Sequence, residues 1–88
     1  MYAAILSLET EDELMKFFND LCTVTEIQAF EQRFQVAKLL HQGLNYNQIL
    51  DQTGASSATI SRVNRSLRDG AGGYEIAFGR LGPDRINQ

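Results

Sequence analysis

The sequence predicts an all-α protein, and three observations carry that expectation. Apolar residues recur at helical spacing through most of the 88 residues. Residues able to cap a helix stand ahead of those runs, and glycines stand behind them. No segment alternates apolar and polar residues as a half-buried strand does. A chain of this length makes one domain, 1–88, with a small core. At that size association with a second copy is a common source of stability.

The elements follow in order. Residues 1–22 read as an N-terminal helix. Thr10 and Glu13 have capping-box spacing, and Leu14, Met15, Phe17, Phe18, Leu21 and Cys22 form an apolar stripe about 160° wide. Residues 23–43 read as a long core helix that starts at Thr25, paired with Gln28, and stops at Gly43. Its residues Ile27, Phe30, Phe34, Val36, Ala37, Leu39 and Leu40 cover about 240° of its circumference. A helix that apolar must be nearly surrounded, and one short chain has too few helices to do it. A second subunit is therefore expected, with a shared core of Leu14, Phe17, Phe18, Leu21, Ile27, Phe30, Phe34 and Leu40. Residues 45–68 read as two short helices: Asn45 caps "YNQILDQT", which ends at Gly54, and Ser56 caps a helix from Ser57 to about Arg68. Residues 69–88 form a C-terminal segment. Tyr74, Ile76, Phe78 and Leu81 suit a last short helix, and Pro83 and the polar end are expected to fray.

The net charge is −3, but it is unevenly spread. Residues 1–31 carry seven acids and one base, Lys16, a net of −6; residues 32–88 carry seven bases and four acids, a net of +3. That asymmetry suits a surface for a polyanion at one end of the chain. The single cysteine, Cys22, excludes an intramolecular disulfide and fits a reducing compartment. The N-terminus lacks the basic flank of a signal peptide, and no apolar run is long enough to span a membrane. The expected location is the cytoplasm.

The most informative stretch is "GASSATISRVNRSL", residues 54–67, which contains no acid. Two short helices joined through a glycine turn make a helix-turn-helix pattern. On a helical wheel Ile60, Val63 and Leu67 share an arc of about 60°, with Asn64 beside them, and anchor the helix to Ile49, Leu50 and the core. The other face carries Ser57, Ala58, Ser61, Arg62, Arg65 and Arg68 and no carboxylate. The DNA major groove asks for such a helix. Small residues at its start allow close approach, backbone N–H groups there meet phosphate, and arginine pairs with guanine O6 and N7. The plainer reading is a solvated arginine face on a surface helix.

"VTEIQAFEQRFQVAKLLHQG" followed by "NYNQILDQTGASSATISRVNRSLR" resembles the Trp repressor superfamily, and most of all its YerC/YecD-like branch. The resemblance spans about Thr23 to Arg68, half the chain, and "TGASSATISRVNRSL" is its most specific part. It implies an all-helical, intertwined homodimer that presents paired second helices to successive major grooves. The Trp repressor is itself a type example of that docking, so this expectation comes with the family. By position the DNA-facing residues are Ser56, Ser57, Ala58, Thr59 and Ser61, with Asn47 on the preceding helix, and Arg62, Arg65 and Arg68 join them. The family's repressor has basic residues on that preceding helix; here Asn47 and Leu50 stand at those places, which shifts phosphate contact toward Arg65 and Arg68.

The resemblance also bears on an effector. In the repressor two arginines sandwich the indole ring of bound tryptophan, and Arg33 and Arg62 match both. The glycine that follows the second arginine there is Val63 here. Its side chain adds three carbons where the ring would lie, so tryptophan is not expected to act as co-repressor. An effector pocket, if one exists, would involve Arg33, Arg62, Val63 and Ser66; otherwise Arg33 serves an ion pair or a helix end. No metal or cofactor is expected. His41 lacks a second ligand at metal spacing and suits a helix C-terminus, Glu11, Asp12 and Glu13 suit a helix N-terminus, and Gly70, Gly72 and Gly73 lack the lysine of a phosphate loop. No catalytic set is present, so the chain is not read as an enzyme.

The expected function is a homodimeric, sequence-specific regulator of transcription that binds double-stranded DNA, a repressor working without tryptophan. The alternative is a helix-turn-helix-derived protein-interaction module that has lost DNA binding. A piece of a sigma-factor-like or transposase-like chain ranks below both, because the chain is expected to be complete in its one domain.

Overall fold

Side-chain capping marks where the four central helices begin. The structure, a computed structural model, describes residues 1–86 and contains α1 (Tyr2–Ser7), α2 (Glu11–Leu21), α3 (Val24–His41), α4 (Tyr46–Thr53), α5 (Ser57–Asp69) and α6 (Gly73–Arg85). There is no strand among the described residues. By backbone contacts the expected single domain separates into two units, Met1–Glu31 and Gln32–Gln88, with the border inside α3.

In the first unit the expected single helix over 1–22 is two. Leu8 takes an extended conformation after α1, and Thr10, also extended, restarts the chain as the N-cap of α2. The Thr10 hydroxyl accepts from the Glu13 N–H at 3.1 Å, while the Glu13 carboxylate accepts from the Glu9 N–H at 2.8 Å. These bonds satisfy donors that a continuous helix would have used itself, so the helix breaks there. Glu11, Asp12 and Glu13 occupy the first turn of α2, where negative charge suits the helix dipole, and Asp12 pairs with Lys16 at 3.0 Å. The second start also moves. Thr23 and Glu26 form the reciprocal box, at 3.1 and 2.8 Å, rather than Thr25 and Gln28. A carboxylate accepts more strongly than an amide and is favoured at a helix N-terminus, which selects the earlier register.

In the second unit the punctuation matches the sequence closely. At the end of α3 the Leu44 N–H donates to the Leu39 carbonyl and the Gly43 N–H to the Leu40 carbonyl, with Gly43 at φ +90°. This is a Schellman stop. Asn45 and Gln48 exchange capping bonds, each 2.9 Å, at the start of α4. The Ser56 hydroxyl accepts from the Thr59 N–H at 3.1 Å at the start of α5. The C-terminal segment is more ordered than its composition suggests. α6 runs through Pro83 to Arg85, interrupted at Gly82, where φ is +73°. Proline suits the first position of the turn that restarts after Gly82. Ile86 closes that turn and is buried, so the expected fraying does not reach it; Asn87 and Gln88 lie outside the described residues.

The core lies in this second unit. Val36, Ala37 and Leu39 of α3 meet Ile49 of α4, Ala55 of the turn, Ile60 and Val63 of α5, Phe78 of α6, and Ile86. Phe34, Leu40, Leu44, Leu67 and Tyr74 pack around them. Each fully buried aliphatic side chain contributes about 1.5–3 kcal/mol. Leu50, expected as an anchor, is 44 % exposed. Ile49, expected beside it, is fully buried, as is Ala55 of the turn.

Candidate nucleic-acid interface

The turn between α4 and α5 is built from the inside. The Thr53 hydroxyl donates to the Ile49 carbonyl at 2.7 Å and accepts from the Ala55 N–H at 3.1 Å. Gly54, at φ +68°, lets the chain reverse, and Ala55 is buried beneath it. Ser56 then starts α5 with its inner face set by Ile60 and Val63. That leaves Ser57, Ala58, Ser61, Arg62, Arg65 and Arg68 exposed. Ser56 and Asn47 are exposed as well. Thr59 is half-buried, and its hydroxyl already accepts from the Ser56 hydroxyl at 3.0 Å. The Ser56 hydroxyl is the more committed of the two, since it donates that bond and also accepts from the Thr59 N–H.

Along the outer face of α5, Arg62, Arg65, Ser66, Asp69 and Gly70 line an open groove of about 510 Å³. Asp69 adds a carboxylate to a face expected to carry none. It follows Arg65 by four residues and Arg62 by seven, a spacing that could have placed it there. The groove gathers Arg62 and Ser66 of the expected effector set, but not the other two. Val63 is only 2 % exposed and belongs to the core. Arg33 is half-buried on α3 and is not among the groove's walls.

Elsewhere in the second unit the exposed His41 ring lies 4.7 Å from the Phe78 ring, centroid to centroid. Among the described residues no three His, Cys, Asp or Glu side chains are grouped to hold a metal ion, and no helix is long and apolar enough to cross a membrane.

The residues expected in a shared core remain at least partly accessible in the single chain. Leu14, Phe17, Phe18, Ile27, Phe34 and Leu40 are half-buried, whereas Leu21 and Phe30 are exposed. None of residues 1–31 is buried. Leu14, Met15, Phe18, Ile27 and Phe30 line an apolar groove of about 290 Å³ within that unit.

Known proteins share this fold. The chain matches the Trp repressor protein family over residues 1–82. It is 48% identical over 81 residues to an uncharacterised Bacillus subtilis (strain 168) protein, YerC, covering 92% of this chain and 78% of that one. The crystal structure of a candidate Trp repressor from Staphylococcus aureus matches with a TM-score of 0.87 at 51% identity, over 91% of this chain and 80% of that chain. A TrpR-like protein from Eubacterium eligens ATCC 27750 matches with a TM-score of 0.89 at 54% identity, over 93% and 84%. The expected all-α, Trp-repressor-type fold is therefore the observed one, and the chain belongs to the Trp repressor protein family.

Proposed function

We propose that the protein is a homodimeric, sequence-specific reader of double-stranded DNA that regulates transcription as a repressor, without tryptophan as co-repressor. The observation that carries this reading is the outer face of α5. Three arginines and a run of small residues are exposed there in a protein whose net charge is −3. Ser57, Ala58 and Ser61 suit close approach to base edges; Arg62, Arg65 and Arg68 suit guanine and phosphate. Asn47, Ser56 and Thr59 flank them. A dimer doubles this surface, and a second copy would cover the apolar residues that residues 1–31 leave accessible. Such a reader works where the chromosome lies, so the reading carries a cytoplasmic location. It includes no enzymatic step.

Asp69 in the groove and the acidic net charge favour a second reading, a protein-interaction module. One experiment separates the two: selection of bound duplexes from a random-sequence pool without added ligand, followed by a salt titration on the enriched site. The DNA reading expects a two-fold-symmetric site. With six arginines per dimer at phosphate, log affinity should fall against log salt with a slope of about −5. Arg65→Ala or Arg68→Ala should each flatten that slope by about 2 per dimer. No enrichment and a flat salt response would favour the protein-interaction reading.

A further inference from the structure

One polar contact joins α4 to α5 away from the turn. The side-chain amide of Asn64 donates to the Tyr46 hydroxyl oxygen at 3.1 Å, across 18 residues of chain. Tyr46 is the first residue of α4, seven residues before its last, Thr53. Asn64 is seven residues beyond Ser57, the first residue of α5. At about 1.5 Å per residue the bond lies roughly 10 Å along each helix from the turn that joins them. Two rods joined at a corner can change their angle, and a cross-tie some distance from the corner closes the triangle. The corner here contains Gly54, in the left-handed region.

The buried side chains Ile49, Ile60 and Val63 press the two helices together. Apolar contact is non-directional, however, and tolerates small slides that keep area buried. A hydrogen bond weakens steeply once its distance or angle is lost. The lever is long. Slack of about 1 Å at the tie would move the α-carbon of Ser61, roughly 6 Å from the start of α5, by about 0.6 Å, and that of Arg68, roughly 17 Å from it, by about 1.6 Å. Both exceed the distance range of about 0.5 Å over which an N–H···O bond is good. A flexible arginine reaching a phosphate would absorb the shift, whereas a base contact from a short side chain would not.

We propose that Tyr46 and Asn64 are positioning residues that set the α4–α5 angle, so that α5 reads bases rather than merely holding phosphates. This inference rests on the DNA reading above. It assigns sequence discrimination to a pair that faces each other rather than the groove. Asn47, a proposed DNA contact, directly follows Tyr46, so the same tie also holds the start of α4 in register.

The test measures affinity for the selected symmetric site and for a random-sequence duplex at one salt concentration. The proteins are the wild type, Tyr46→Phe, Asn64→Ala and the double variant. Tyr46→Phe removes one oxygen atom. Each single variant should lose about 3- to 10-fold in affinity for the selected site, the worth of one hydrogen bond. The double variant should lose no more than the worse single variant, because both changes break the same bond. Affinity for the random duplex, the salt slope and the helical circular dichroism should not change. Full discrimination in Tyr46→Phe, losses that multiply in the double variant, or a parallel loss on random duplex would overturn the proposal. A wild type that binds neither duplex would overturn the DNA reading itself, and this inference with it.

Discussion

Val63 shows how one residue separates this chain from the pattern it resembles. Where the family's repressor places a glycine beside bound tryptophan, this chain has a branched side chain that is 2 % exposed and packed with Ile49, Ile60 and Val36. It faces the core, while Arg62 and Ser66 face the open groove. Tryptophan should therefore fail to bind in the micromolar range, and a calorimetric titration that finds such binding would refute this. Val63→Gly should empty a core position and add a glycine within a helix. The expected cost is about 2–4 kcal/mol, read from the urea midpoint at unchanged slope.

At the scale of elements, start signals of similar appearance differ in strength. Both Thr23 with Glu26 and Thr25 with Gln28 have the spacing of a capping box, but only the first pair makes the two bonds. Thr23→Ala should destabilise by about 1 kcal/mol, and Thr25→Ala by a few tenths at most, in a denaturant titration of both. Equal costs would mean that α3 starts in a different register. The end of α5 is set by sterics. A Cβ at Gly70 would collide with the Ser66 carbonyl oxygen, so the chain can leave α5 there only with glycine in place. That stop, with the Ser56 cap, defines the length of the face that carries the three arginines.

At the scale of the molecule, burial is unevenly shared. Every buried residue lies in the second unit, and none in residues 1–31. The second unit carries the helix-turn-helix and its core; the first carries most of the negative charge and an apolar groove. If a second copy covers that groove, sedimentation should give twice the mass of one chain, and the thermal midpoint should rise with protein concentration. Phe18→Asp, which places a charge in the groove wall, should lower that midpoint by several degrees and shift the mass toward a single chain. A single-chain mass for the wild type at micromolar concentration would remove the dimer from the proposed function.

The sequence by itself determined what depends on neighbours a few residues apart. Asn45 with Gln48, Ser56 with Thr59, and Gly43 and Gly54 at positive φ act within one turn of chain, so their effect could be read locally. The basic outer face of α5 was legible for the same reason, since a helix of known phase assigns its own faces. Tertiary structure alone decided what depends on residues brought together from a distance. The exposure of Leu50, the burial of Ile86 and the joining of Tyr46 to Asn64 all turn on which helix packs against which. A helical wheel gives a side chain's direction, and packing decides what fills the space it points into.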